Sequence, residues 1–284
     1  THPRSSAASD VYKRQTTISA SGQDITLNQA ASTFGTLALT GANVAVTENA
    51  ATDLGASTVS GTLGITSTGA VTDSGTLVII GATTISASGQ DITLDEAAST
   101  FGTLALTGAN VAVTENAATD LGASTVSGTF AITSGGAITD SGTQAITGDA
   151  TFTNSAGTDD AITLDDASNA FGGTVTFATD SGSAVTIVDT TALDLVALTA
   201  ASLSATSGGA VTDSGTLAIA GATTISASGQ DITLDEAAST FGTLALTGAN
   251  VAVTDAGATD LGASTVSGTP VSYTHLTLPT IVEV

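Results

Sequence analysis

Read for its apolar positions alone, the chain repeats a short zigzag. Ile25 and Leu27, Leu37 and Leu39, Val44 and Val46, Leu63 and Ile65, and Leu77 and Ile79 stand two residues apart, with Thr, Ala, Gly or Val between them. A spacing of two puts both side chains on one face of an extended segment, whereas a helix needs three or four. Single apolar points at Leu54, Val59, Val71 and Ile85 complete a set of nine brief strands before the wording starts again. Gly, Asn, Asp and Ser fall between them, the residues that supply the backbone angles of corners. The AASTF stretches from Ala30 and Ala97 could form a helical turn, but Gly35 and Gly102 stop it at once.

The wording restarts at a fixed interval. Aligned on ITL, the repeats begin at Ile25, Ile92, Ile162 and Ile232, at intervals of 67, 70 and 70 residues. The copy from Ile162 departs furthest, reading ITLDDASNAFGGTVTF, and the one from Ile232 is truncated. A period of this size marks stacked supersecondary units. Nine strands per copy divide into three coils of three, at roughly 22 residues a coil. The expected fold is therefore all-β: a right-handed parallel β-helix, or β-solenoid, with about three coils per repeat. Eleven or twelve coils stacked about 4.8 Å apart make a rod roughly 55 Å long. A string of β-sandwich domains is the competing architecture, but it needs about 100 residues per unit and a large core aromatic.

Composition sharpens this picture mainly at the ends. All three basic residues (Arg4, Lys13, Arg14), both histidines, both tyrosines and all three prolines lie in residues 1–15 and 270–284. In those flanks DVYKRQ (Asp10–Gln15) and VSYTHL (Val271–Leu276) resemble translations of a transposase mosaic-end sequencing adaptor read in opposite orientations. The repeat wording also breaks at both junctions, with Arg14-Gln15 where later copies have Gly-Ala, and Pro270 where earlier copies have Leu63 or Phe130. Three segments follow: an adaptor-derived, unstructured tail over 1–15, a repetitive solenoid over 16–269, and a second such tail over 270–284. The interior is expected to be a soluble piece cut from something longer.

Between the flanks the chain carries no cation, while only Asp10 and Glu283 of its 26 acidic residues lie outside the interior. An all-acidic surface repels phosphate, so nucleic acid and acidic lipid are not expected partners. Membrane insertion is not expected either, because no apolar run nears the roughly 18 residues a spanning helix needs. Without cysteine, stability must come from packing and backbone pairing.

Candidate chemistry is sparse. Without His, Lys, Arg, Cys or Tyr in the interior, the usual bases, clamps and nucleophiles are missing, and carboxylate pairs remain: Asp95 with Glu96, Asp165 with Asp166, Asp235 with Glu236. The first copy has Asn28 and Gln29 there. Three coils, roughly 14 Å, would separate corresponding pairs, too far for paired carboxylate catalysis. These acids read as solvated corner residues, and no catalytic, cofactor or metal residue is assigned; the chain is not expected to be an enzyme. Thr158–Asn169 is the densest acidic stretch and suits calcium by charge, but it lacks the EF-hand spacing. An ice-binding face needs regularly ranked Thr-x-Thr pairs, and Thr151 with Thr153 and Thr174 with Thr176 stand in different settings, so ice binding is not expected.

Phrases such as LGASTVSGTLGITSTGAVTDSGTL and GATTISASGQDITLDEAASTFGTLALTG resemble the repeat regions of filamentous-haemagglutinin-like exoproteins and giant bacterial surface adhesins. The likeness covers Thr16 to Thr269 and rests on a cadence of Gly, Ser, Thr and Val. It implies an extracellular stalk at a bacterial cell surface that serves adhesion or biofilm, with any host-surface or glycan ligand held by regions outside this chain. A carbohydrate-binding or carbohydrate-processing β-helix is the alternative from the same secreted setting. Cut without capping coils, such a piece exposes strand edges and is expected to associate end to end.

Overall fold

A computed structural model describes residues 15–154, 159–268 and 270–274. The fold is a parallel β-solenoid of about 12 turns, and every strand pairing in it is parallel. Each of the nine strand positions read from the first copy is a strand, from Ile25–Leu27 through Thr36–Gly41 and Val44–Glu48 to Thr83–Ser86. Along them burial alternates residue by residue, as in Val44–Glu48 and Leu63–Ser67. One set of side chains therefore fills the shaft and the other faces out.

Strands stack on equivalents about 20 residues away. Ile25 lies beside Val44, Val44 beside Leu63, Leu63 beside Thr83 and Thr83 beside Leu104, so one column of the interior runs up the axis through five coils. Outward columns hold small polar side chains, for instance Thr163, Thr186, Ser204 and Thr224. Parallel pairing demands a crossover between partners, and here the rest of each coil supplies it.

About three coils per repeat was expected; the half coil beyond three changes how the copies face. From Thr36–Gly41, three upward steps through Thr52–Leu54 and Val71–Asp73 reach Ile92–Leu94. The next copy of the TLALTG strand, Thr103–Gly108, follows another half turn later and belongs to the opposite sheet. The ITL strands behave alike. Ile25–Leu27 and Ile162–Leu164 lie in one sheet, Ile92–Leu94 and Ile232–Leu234 in the other. The cause is that strands per coil vary. Thr36–Gly41 is one long strand, yet two short ones, Thr52–Leu54 and Ser57–Val59, stack side by side on its two ends. Nine strands therefore cover three and a half coils.

Two local devices set the corners. Ala20-Ser-Gly-Gln23 and its copies at Ala87 and Ala227 close tight turns with Gln N–H on the Ala carbonyl, and Gly22, Gly89 and Gly229 take φ of 72°, 75° and 76° there. That conformation favours glycine. The AAST stretch forms a single turn, with Ser99 N–H on the Glu96 carbonyl and Ser239 N–H on the Glu236 carbonyl, and does not continue as helix.

The pairing interval lengthens where the second copy runs into the third. Ile138 pairs with Ile162 and Ala150 with Val175, wider sequence intervals than elsewhere. Phe130, Phe152, Phe171 and Phe177 are buried together there, with ring centroids 5.8 to 6.0 Å apart around Phe152. Edge-to-face and stacked contacts at such distances are favourable.

Pro270–Thr274 pairs in register with Val251–Asp255, so the ladder runs past residue 269, where the unstructured tail was expected to begin. Extended backbone supplies the pairing whatever its side chains, and proline is tolerated as the first residue of a strand. Residues 1–14 and 275–284, the rest of the expected tails, lie outside the described residues.

One interior position is mismatched. Thr83 stands between Leu63 and Leu104, and Thr223 between Leu203 and Leu244; both are fully buried, and neither hydroxyl has a hydrogen-bond partner. A buried hydroxyl without a partner costs about 1–3 kcal/mol. Thr83→Val and Thr223→Val keep the shape and remove the cost, so each is expected to raise stability by about 1–2 kcal/mol in urea unfolding.

Candidate functional site

The acidic residues sort by which way the strand alternation turns them. Outward ones form brackets along the corners. Asp91 Oδ1 accepts from the backbone N–H and side-chain amide of Asn110 at 3.1 and 2.9 Å, and Asn110 Oδ1 accepts from Thr129 N–H and Oγ1 at 3.0 and 3.1 Å. Asp24, Asn43 and Thr62 repeat the arrangement in the first copy. One asparagine thus ties three successive coils. A second bracket runs from Thr103 Oγ1 to Asp120 Oδ2 and from Ser141 Oγ to the same oxygen, both 2.9 Å.

Inward ones are the surprise. Glu48, Glu115, Asp189 and Asp255 end equivalent strands in the four copies, and each is at most 3% exposed. Their oxygens accept backbone N–H groups of neighbouring coils or turns: Phe34 to Glu48 and Phe101 to Glu115 at 2.6 Å, Phe171 to Asp189 at 3.2 Å. Glu115 also accepts from Thr119 Oγ1 at 2.9 Å, and Asp189 from the Thr191 amide and hydroxyl at 2.9 and 2.8 Å. A second inward set receives the turn after ITL. Asp73 takes the amides of Asp95 and Glu96, and Asp213 takes that of Asp235 together with Ser239 Oγ.

For Glu115, Asp213, Asp73 and Asp189, burial acts more strongly than their hydrogen bonds. Desolvation raises Glu115 to about 7 and Asp213 to about 6, against the lowering effect of the donors, and it raises Asp73 and Asp189 as well. Asp149, fully exposed, is shifted the other way by hydrogen bonds from Thr174.

The sequence-selected pairs do not come together. Asp95, Asp165 and Asp235 are exposed, and Glu96, Asp166 and Glu236 are half-exposed. Because the repeat turns the copies half a coil, Asp165 and Asp166 stand on the opposite side of the rod from the other two pairs. Asp95 and Asp235 are seven coils apart, roughly 34 Å. The backbone of these pairs has a role instead, as donor to Asp73, Asp140 and Asp213.

In the stretch proposed for calcium, Thr158 lies outside the described residues. Asp165 and Asp166 give their amides to Asp140, while Asp166 Oδ1 accepts from Thr143 Oγ1 and Ser168 N–H. Among the described residues, no three His, Cys, Asp or Glu side chains are grouped to hold a metal ion. The threonine pairs are out of step: Thr151 stacks on Thr176, but Thr153 stacks on Ala178. A shallow groove of about 330 Å³ between Asp149, Thr174, Asp194 and Thr212 is open to solvent.

Spacing could have found the inward carboxylates. In Val111-Ala-Val-Thr-Glu115 the inward positions are the first, third and fifth, and continuing the alternation one step past Val113 carries Glu115 into the shaft. Val251, Val253 and Asp255 read the same way.

Rungs of parallel strands, corner brackets and inward carboxylates recurring at one interval define a β-solenoid repeat protein. The chain belongs to the family described as Repeats of unknown function (DUF5649), whose pattern matches residues 41–107, 108–178 and 182–247. Each matched unit corresponds to three and a half coils, so the family unit is also the unit of rotation. No protein of curated function and no solved structure matches the chain.

The brackets require glycine beside them. A Cβ on Gly61, Gly128 or Gly268 would run into the side-chain oxygen of Asn43, Asn110 or Asn250. Gly128→Ala is therefore expected to push Asn110 off Asp91 and Thr129 and to cost about 1–3 kcal/mol in urea unfolding. Adding Asn110→Ala to that variant should recover part of the loss, as a double-mutant cycle would register.

Proposed function

We propose that this chain is a stalk segment of a secreted bacterial surface protein of the adhesin type, which holds other parts of that protein away from the cell. One observation carries the reading: each strand pairs only with strands one coil above or below it. Such a body gains length by duplication without redesign of its core. Its hydrogen bonds run along the axis, the direction in which a stalk is loaded. The acidic coat supports the same role, since like charge on neighbouring rods limits sideways clumping. The likeness of the repeat wording to filamentous-haemagglutinin-like exoproteins supports an extracellular setting at a bacterial surface. No group of side chains is assigned a reaction, and binding belongs to segments that the stalk carries.

Electron microscopy of versions with one repeat more or fewer tests the mechanical part. Each added unit is expected to lengthen the rod by about 17 Å, three and a half coils at the spacing of adjacent strands. Lengths that do not change in such steps would refute the stalk. A glycan array tests the passive part: no saturable binding is expected, and retention on a defined sugar would favour a carbohydrate-binding solenoid.

A further inference from the structure

We propose that the solenoid is tightened by acid: carboxyl groups sealed in its shaft take up protons as the pH falls below neutrality, and that uptake stabilises the coils around them. The inference rests on placement. Glu115, Asp189, Asp213 and Asp73 are 3, 1, 4 and 8% exposed. They continue the apolar interior at strand ends, Asp213 in register with Leu195 and Asp73 with Leu54. Between residues 15 and 274 the chain has no Lys, Arg or His, so no cation there can neutralise them. Burying an ionised carboxylate without a counter-charge is costly, and the group keeps its proton instead.

The surroundings agree. Glu115 is met by Phe101 N–H and Thr119 Oγ1, and Asp189 by Phe171 N–H and the Thr191 amide and hydroxyl, all neutral donors. The charged groups that act on Asp73 are Asp95 and Glu96, and the one acting on Asp213 is Asp235; all are carboxylates and favour the protonated form.

The direction of the pH effect follows from these shifts. The native state holds protons to a higher pH than the unfolded chain, so it binds more of them between the two values. The resulting stabilisation is complete below the unfolded pKa values of 4.5 for Glu and 3.8 for Asp, and it is lost as the pH rises through about 6 for Asp213 and about 7 for Glu115. A depressed carboxylate would do the opposite.

Urea unfolding at pH 5 and pH 8 in high salt, which screens exposed charge but not buried charge, is the first test. The midpoint is expected to be higher at pH 5, with the difference reduced in the double variant Glu115→Gln plus Asp189→Asn. Those amides preserve the acceptor oxygens used by Phe101, Phe171 and Thr191 while removing the charge. An unchanged midpoint between pH 5 and 8, or the same fall in the variant, overturns the proposal. Should the variant not fold, carbon-detected NMR titration of the unmodified chain decides. Carboxyl groups with midpoints between about 5.5 and 7.5 are expected, and titration of every carboxyl below pH 5 overturns it.

Discussion

The backbone hydrogen bond directed along the axis is the constraint from which the rest follows. In an ordinary sheet the ladder runs sideways across a compact domain; here it runs lengthwise, and the strands of a rung pair with those one coil away. Since the partner is always the equivalent segment of the next coil, a side chain pointing inward must pack against its own counterparts. Columns such as Ile25, Val44 and Leu63 are the result. The same rule leaves little room for irregularity, so turns have to recur at the same places, and Gly22, Gly89 and Gly229 do.

Corner polarity answers a problem this arrangement creates. Where the chain bends, the ladder is interrupted and an amide is left over. Small side chains take it up from the neighbouring coil: Ser57 accepts Leu39 N–H at 2.9 Å, Ser124 accepts Leu106 N–H at 3.1 Å, and Asn169 accepts Gln144 N–H at 2.7 Å. Serine, aspartate and asparagine at corners are thus substitutes for missing backbone partners. The acidity of the chain has a structural origin in part, because carboxylates are the side chains that accept most and donate nothing.

Much of this was legible in the residues. Alternation located every strand of the first copy, and the interval between ITL motifs identified a stacked fold. Two things were hidden. The number of coils per unit was hidden because TLALTG reads as one strand whether or not the next coil divides above it. Dividing nine by three assumed a constant cross-section, and the paired short strands above Thr36–Gly41 break that assumption. The inward carboxylates were hidden because an acid next to a turn suggests solvent. Glu115 follows the pattern of Val111 and Val113 faithfully, and only its polarity argues against the interior.

The half turn carried by each unit has a consequence for how such a body can change. Because 3.5 is not a whole number, duplication or loss of one unit does more than alter length: anything attached beyond it points the opposite way. Two units restore the original heading. Parity, and not size alone, then decides which way a distal element looks, so a lineage that must keep one orientation has reason to gain or shed these modules in pairs.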